Sequence, residues 1–188
     1  LSRRKTSAFF EDKGKSKLKA DYPAKAWYGD YLDFVKQEKI FYTLLTPSQY
    51  GDEECRWDTC RNCCFNEILG FYGLPYWYTW QVTILGLGPI WMGKNEALKK
   101  KTARLLEQGE IFAFGLSEKE HGADLYSSDM TLTPLTDDKF VADGGKYYIG
   151  NANKAGLVSV FAKDSDTDEY VFFTADPSHE NYTLVKNI

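Results

Sequence analysis

Apolar and polar positions along this 188-residue chain repeat at two periods, and the change between them falls at Gly109. Before it, apolar residues recur every three to four positions. That spacing predicts helices over residues 24–41, 52–72, 75–87 and 95–108, the last closed by Gly109 as its C-terminal cap. Beyond it the alternation is near two. It predicts strands over residues 111–117, 131–134, 139–143, 146–149, 157–162 and 170–174. Asp143-Gly144-Gly145 turns the chain into the fourth of these, and the acidic run Asp164 to Asp168 is a hairpin tip. The expected organisation is α+β, with a helical domain over 1–109 and a β domain over 110–188.

Three local patterns qualify this picture. No charged residue occurs from Ile68 to Gly93, a length that reaches a membrane span. Gly70, Gly73, Pro75, Gly86, Gly88 and Pro89 interrupt it, and Trp77, Tyr78 and Trp80 sit mid-segment, so it reads as a core helix. Its Gly86-Leu87-Gly88 lacks the third glycine of a dinucleotide fingerprint, because position 91 is Trp91. The basic start, Arg3-Arg4-Lys5 with Lys13, Lys15, Lys17 and Lys19, reads as a solvated, partly disordered tail with no secretory signal. The crowding of Cys55, Cys60, Cys63 and Cys64 suggests an iron–sulfur or zinc site, but no second CxxC pair and no nearby His supports tetrahedral ligation. Trp57, Cys60, Cys64, Ile68 and Phe71 recur at helical spacing, which predicts at least two cysteines in a packing face as small hydrophobes, with all four as free thiols.

An apolar content of 43% and a net charge of −4 describe an ordinary soluble chain. The acidic balance argues against nucleic acid as partner.

The chemistry concentrates in two stretches, GEIFAFGLSEKEHGAD from Gly109 and GKYYIGNANKAG from Gly145. In each, a strand-like apolar run ends in a polar, Gly-bearing loop, and two such ends meeting make a ligand site. Ser117 offers a hydroxyl, Gly122 permits close backbone approach, and Tyr147-Tyr148 offer faces for a planar ring. A planar, phosphate-bearing ligand hungry for hydrogen bonds at one edge is a flavin dinucleotide. His121 either contacts it or is an exposed loop histidine.

Phe114-Gly115-Leu116-Ser117-Glu118 with Gly122-Ala123-Asp124 resembles the acyl-CoA dehydrogenase flavin signature, an aromatic, x-[VL]-[ST]-E and then Gly-Ser-Asp. Lys146 to Asn151 is similar to its partner K-x-W-I-[TS]-N. Pro47-Ser48-Gln49-Tyr50-Gly51 resembles the family's P-E-x-[YF]-G loop, and Leu85-Gly86, Pro89-Ile90 and Gly93 resemble its L-G-x-x-P-I-x-x-x-G stretch. The departures are Lys119-Glu120-His121 in place of Pro-Gly-Ala, Ala123 in place of Ser, and Gly150 in place of Thr or Ser. Gly150 and His121 also resemble the acyl-CoA oxidases.

The resemblance implies a helical domain followed by an antiparallel, barrel-like β domain, with the chain a fragment ending before a C-terminal four-helix domain. It implies FAD as cofactor, held by Phe114, Gly115, Leu116, Ser117, Gly122, Ala123, Tyr148, Ile149 and Gly150, with Ala123 also beside the substrate. The Leu116 and Ser117 N–H groups and the Ser117 hydroxyl would face the pyrimidine edge, and Tyr148 would pack on the ring. The implied reaction is α,β-dehydrogenation of an acyl-CoA, with electrons passed to an acceptor flavoprotein or, in an oxidase, to oxygen; a non-catalytic scaffold for CoA or flavin is the alternative. The family's base is a Glu in the C-terminal domain, so no residue here is assigned to catalysis. Glu118 is expected to hold its loop by accepting backbone N–H bonds. No metal is expected. A homodimer or homotetramer and a cytoplasmic location, mitochondrial or peroxisomal in a eukaryote, complete the expectation.

Overall fold

The computed structural model describes residues 2–136 and 139–183. The elements are α1 (Ser2–Lys13), α2 (Lys15–Asp21), α3 (Gly29–Gln37), α4 (Ile40–Leu45), α5 (Thr59–Tyr72), α6 (Leu74–Met92), α7 (Glu96–Glu107), β1 (Ile111–Gly115), β2 (Thr131–Thr136), β3 (Lys139–Asp143), β4 (Ala155–Asp164) and β5 (Tyr170–Ala175). They form two compact units. One comprises residues 1–81 and 94–110, the other residues 82–93 and 111–188, so the second half of α6 groups with the sheet.

In the helical unit, local capping chemistry sets the ends. Asp58 accepts from the Arg61 N–H at the start of α5, and Asn95 from the Leu98 N–H at the start of α7. At the end of α7 the Glu110 N–H returns to the Leu105 carbonyl and the Gly109 N–H to that of Leu106, with Gly109 at φ +86°. This paired closure needs a left-handed residue, and Gly supplies it without a Cβ. The predicted helix over 24–41 begins later and breaks between α3 and α4, where Lys39 takes φ +48°.

The basic N-terminus is not a disordered tail. Its polar sequence forms α1 and α2 because Phe10, 1% exposed, packs its ring against Tyr31, Tyr72 and Tyr76, with Phe9 stacked on Phe34. Lys13 ties the two helices to α3 through Asp21 at 3.1 Å and Asp30 at 2.7 Å. The rest of this core centres on Trp80, edge-on to Phe41 and Phe65.

The phase of α5 also differs from expectation. Its buried residues are Asn62, Phe65 and Leu69, one helical stripe, while Phe71 is 74% exposed and Cys60 and Cys63 face solvent. Only Cys55, just outside the helix, is buried, and burial pushes its thiol pKa up. A timed titration with a chromogenic disulfide should therefore show Cys60 and Cys63 reacting at once, Cys64 more slowly and Cys55 only on unfolding. Four equal rates would contradict this placement.

In the other unit the sheet runs β1-β4-β2-β3, and β5 also pairs with β4. The α+β class is as expected, and β2–β3 and β4–β5 are antiparallel. The sheet is nevertheless mixed and open rather than wholly antiparallel and barrel-like, because β1 and β2 both run parallel to β4. A parallel neighbour needs a long crossover, and residues 116–154 provide one between β1 and β4. Ala113, Met130, Ala155, Val158, Val160 and Ala162 form the core on this sheet.

Residues 146–149 do not form the predicted strand, since Tyr148 adopts φ +55° and breaks the extended run. Conversely, α6 continues past its predicted end, through Gly86, Gly88 and Pro89 to Met92. Among the described residues no helix is long and apolar enough to cross a membrane.

Candidate functional site

At the end of β1 the chain turns across the sheet edge and buries a carboxylate. Glu118 accepts from the Ser128 hydroxyl at 2.6 Å, the Asp129 and Met130 N–H groups at 2.7 and 3.1 Å, and Lys146 Nζ at 2.6 Å. Its side chain is 6% exposed and that of Lys146 is 8% exposed, so this ion pair is withdrawn from solvent. Burial alone would raise the Glu118 pKa, but Lys146, Ser128 and the two backbone donors outweigh it and pull the group down to about 2.

The same lysine joins the two motif loops. Lys146 Nζ also donates to the Leu116 carbonyl at 3.2 Å, and the Tyr147 N–H donates to the Ser117 carbonyl at 2.8 Å. The second motif is thus laid across the first as irregular chain held by these bonds. Downstream, Asn151 is buried and donates to the Phe112 carbonyl at 3.0 Å and to Thr83 Oγ1 at 3.3 Å, which anchors the segment to β1 and to the second half of α6.

Within the first loop, His121 lies between two carboxylates, with Nδ1 2.9 Å from Asp124 and Nε2 3.2 Å from Asp129. Asp124, foremost, holds the imidazole pKa above its ordinary 6.5. Asp124 also accepts from the Gly122 N–H at 2.8 Å. Glu118, His121 and Asp129 form the group of potential cation ligands among the described residues, but the four donors on Glu118 already occupy its carboxylate.

The sequence-assigned residues divide between surface and packing. Ser117, Gly122, Ala123 and Tyr148 are exposed, Leu116 and Gly150 are partly so, and Tyr148 meets Tyr147 edge-on at 4.4 Å. Phe114 stacks on Phe172 at 5.6 Å, Gly115 is buried, and Ile149 packs against the sheet core. Ser117 and Leu116 are brought to Lys146 and Tyr147 directly, whereas Gly122 joins them through its own loop, which the Glu118 N–H closes onto the His121 carbonyl at 3.3 Å. The space enclosed among Leu116, Glu118, Gly122 and Ser128 is about 10 Å³, room for one water at most.

What sequence reading missed is the Glu118–Lys146 bridge. Its signal was available as one charge of each sign, each inside one of the two motifs. The upstream segment Pro47 to Gly51 belongs to the helical unit, where the Tyr50 hydroxyl donates to Glu96 at 2.7 Å.

No family model matches the chain. It is 35% identical over 98 residues to the short-chain-specific acyl-CoA dehydrogenase of Megasphaera elsdenii, a match covering 51% of this chain and 26% of that protein. The acyl-CoA dehydrogenase of Bacillus anthracis complexed with FAD superposes with a TM-score of 0.77 at 23% identity, over 95% of this chain and 30% of the other. Butyryl-CoA dehydrogenase of Megasphaera elsdenii superposes with a TM-score of 0.72 at 22% identity, over 94% and 49%. The chain therefore spans half or less of the length of each of these proteins. The sequence match covers about half of the chain and is to an acyl-CoA dehydrogenase, and the chain shares the helical and mixed-sheet fold of the acyl-CoA dehydrogenases it superposes on.

Proposed function

We propose that the two joined loops form one side of an FAD site in an enzyme that removes hydrogen from the α and β carbons of an acyl-CoA. The observation that supports this reading is the Tyr147–Ser117 hydrogen bond together with the Lys146 bonds to Leu116 and Glu118, because they join the two loops that resemble the flavin signature.

The residues present fit such a group in kind. Ser117 supplies an exposed hydroxyl, Tyr148 an exposed ring whose left-handed backbone turns it out of the sheet, and a Cβ at Gly122 would meet no atom within 4 Å. When bound, FAD supplies the two-electron acceptor. In this chain Leu116 and Ser117 would present their N–H groups and the Ser117 hydroxyl to the ring edge, where charge grows on reduction. Tyr148 would cover one ring face, and Gly122 and Ala123 would leave room for the phosphates and the CoA arm.

Glu118 is not the base. A carboxylate held near pKa 2 by four donors is a poor proton acceptor and is turned inward. Proton abstraction from the acyl α carbon is assigned to a carboxylate outside these two loops.

Ser117→Ala tests the assignment. A hydrogen bond to a group gaining charge contributes about 1.5–3 kcal/mol, so FAD affinity should fall by about tenfold or more and the flavin reduction potential should drop. Ser48→Ala, in the helical unit, should change neither. A flavin titration with potentiometry on both variants decides it, and a Ser117→Ala protein indistinguishable from wild type would mean the motif has been mapped onto the wrong residues.

A further inference from the structure

The helical unit contains a cavity that the flavin reading does not use. It lies where the α2–α3 connection faces the junction of α5 and α6, and its volume is about 600 Å³, within the range of sites for small organic ligands. Five of its thirteen lining residues are aromatic, Tyr22, Trp27, Tyr28, Tyr72 and Tyr76, and Leu74 is among the aliphatic ones between them. Trp27 and Tyr28 stack on each other at 4.4 Å.

Burial would hide such side chains in a finished core, yet Tyr22 is 74%, Leu74 66% and Trp27 46% exposed. Apolar surface gathered into a concave site marks a ligand rather than chance exposure.

The rim specifies charge. Lys19 and Lys25 border the cavity and neither has an ion-pair partner among the described residues. The one rim carboxylate, Asp21, is already held by Lys13 at 3.1 Å and Lys17 at 2.7 Å, so it leaves the two lysines uncompensated. Lys25 sits in this connection at φ +49°, a left-handed conformation that an L side chain adopts at a cost.

We propose that this cavity binds an amphipathic monocarboxylate, its apolar body among the aromatic walls and its carboxylate at Lys19 and Lys25. Stacked aromatic walls accept an aryl or an alkyl body, and the unpaired cations select an anion over a neutral or cationic analogue. The inference is independent of the flavin site, since every lining residue belongs to the helical unit.

The test uses the whole chain, titrated calorimetrically with dodecanoate and with naphthoate, and in parallel with dodecanol and dodecyltrimethylammonium. One saturable site is expected, for which the two carboxylates compete. The double variant Lys19→Gln/Lys25→Gln should weaken both carboxylates by about five- to tenfold while leaving dodecanol unchanged. Leu74→Asp should abolish binding of both carboxylates and of dodecanol. It should also fold normally, because Leu74 is exposed and an acidic side chain in the first turn of α6 suits the helix dipole.

Saturable binding of either carboxylate that responds to both variants supports the site, and the tighter of the two identifies the preferred body. Several results overturn it: no saturable binding, equal affinity for dodecanoate and dodecanol, binding intact in Leu74→Asp, binding only to anionic phospholipid vesicles, or self-association that Leu74→Asp abolishes while carboxylates have no effect on it.

Discussion

Glu118→Gln is expected to destabilise the sheet unit by about 3–5 kcal/mol, because it removes the charge that pairs with Lys146 and leaves a cation buried alone. An amide is isosteric, but it offers one acceptor oxygen where the carboxylate serves four donors, and its NH2 would face some of them. Urea denaturation should show a lower midpoint at unchanged slope. The cause is separable by a second substitution. Lys146→Met added to Glu118→Gln should recover part of the loss, since it removes the stranded charge, and a double variant weaker than the single would contradict the argument.

The same pair fixes a pH dependence. The folded pKa of Glu118, about 2, lies below its ordinary 4.5, so its contribution is fully present above 4.5 and is lost as pH falls toward 2. The loss amounts to about 3 kcal/mol by the linkage relation. His121 acts in the opposite direction: its raised pKa gives a contribution complete below 6.5 and lost as pH rises through the folded value. Wild type should therefore weaken on acidification through 4.5, and Glu118→Gln should show a shallower acid limb, the remainder coming from Asp21, Glu96, Asp124 and Asp164, whose pKa values are also lowered.

How much of this was readable in advance depended on whether local chemistry or distant packing decided each element. The α7 helix, from its Asn95 cap to Gly109, and the strands β2, β3 and β5 follow from nearby residues, and they formed where period and turn chemistry place them. Helix α1 did not announce itself. Its fully buried residues are only Thr6 and Phe10, and the rings that cover Phe10 come from residues 31, 72 and 76. In α5 two stripes competed, one through Phe65 and Leu69 and one through Ile68 and Phe71, and period alone does not choose between them. At the candidate site, Ser117 and Tyr148 were legible as motif positions, but the bonds joining the motifs were not. The residues 146–149 alternate like a strand, yet the Lys146 contacts to Leu116 and Glu118, some thirty residues away, hold them as a loop. Tertiary contact overrode propensity there.

Gly86 carries the second large expected effect, and its neighbour Gly88 supplies the control. Both lie in the interior of α6, where replacing Gly by Ala in a free helix should stabilise by about 1 kcal/mol. At Gly88 an added Cβ would meet nothing within 4 Å, so Gly88→Ala should realise that gain. At Gly86 the Cβ would fall 2.5 Å from the Ala113 carbonyl oxygen and 3.0 Å from its carbon and nitrogen. These are backbone atoms of the central stretch of β1 and have no rotamer by which to yield. The helix is also pinned there, by Ser159 Oγ donating to the Gly86 carbonyl at 2.6 Å and by Thr83, which the Phe112 N–H and Asn151 both reach. Gly86→Ala must then either strain these bonds or push α6 off the strand, at a cost typical of overpacking, about 1–3 kcal/mol net of the helix gain. Because Asn151 is bonded to both Thr83 and Phe112, the displacement should reach the second motif loop as well. Paired urea melts are expected to shift in opposite directions for two glycines only two residues apart, and a Gly86→Ala protein as stable as wild type would show that helix and strand are not in the contact described.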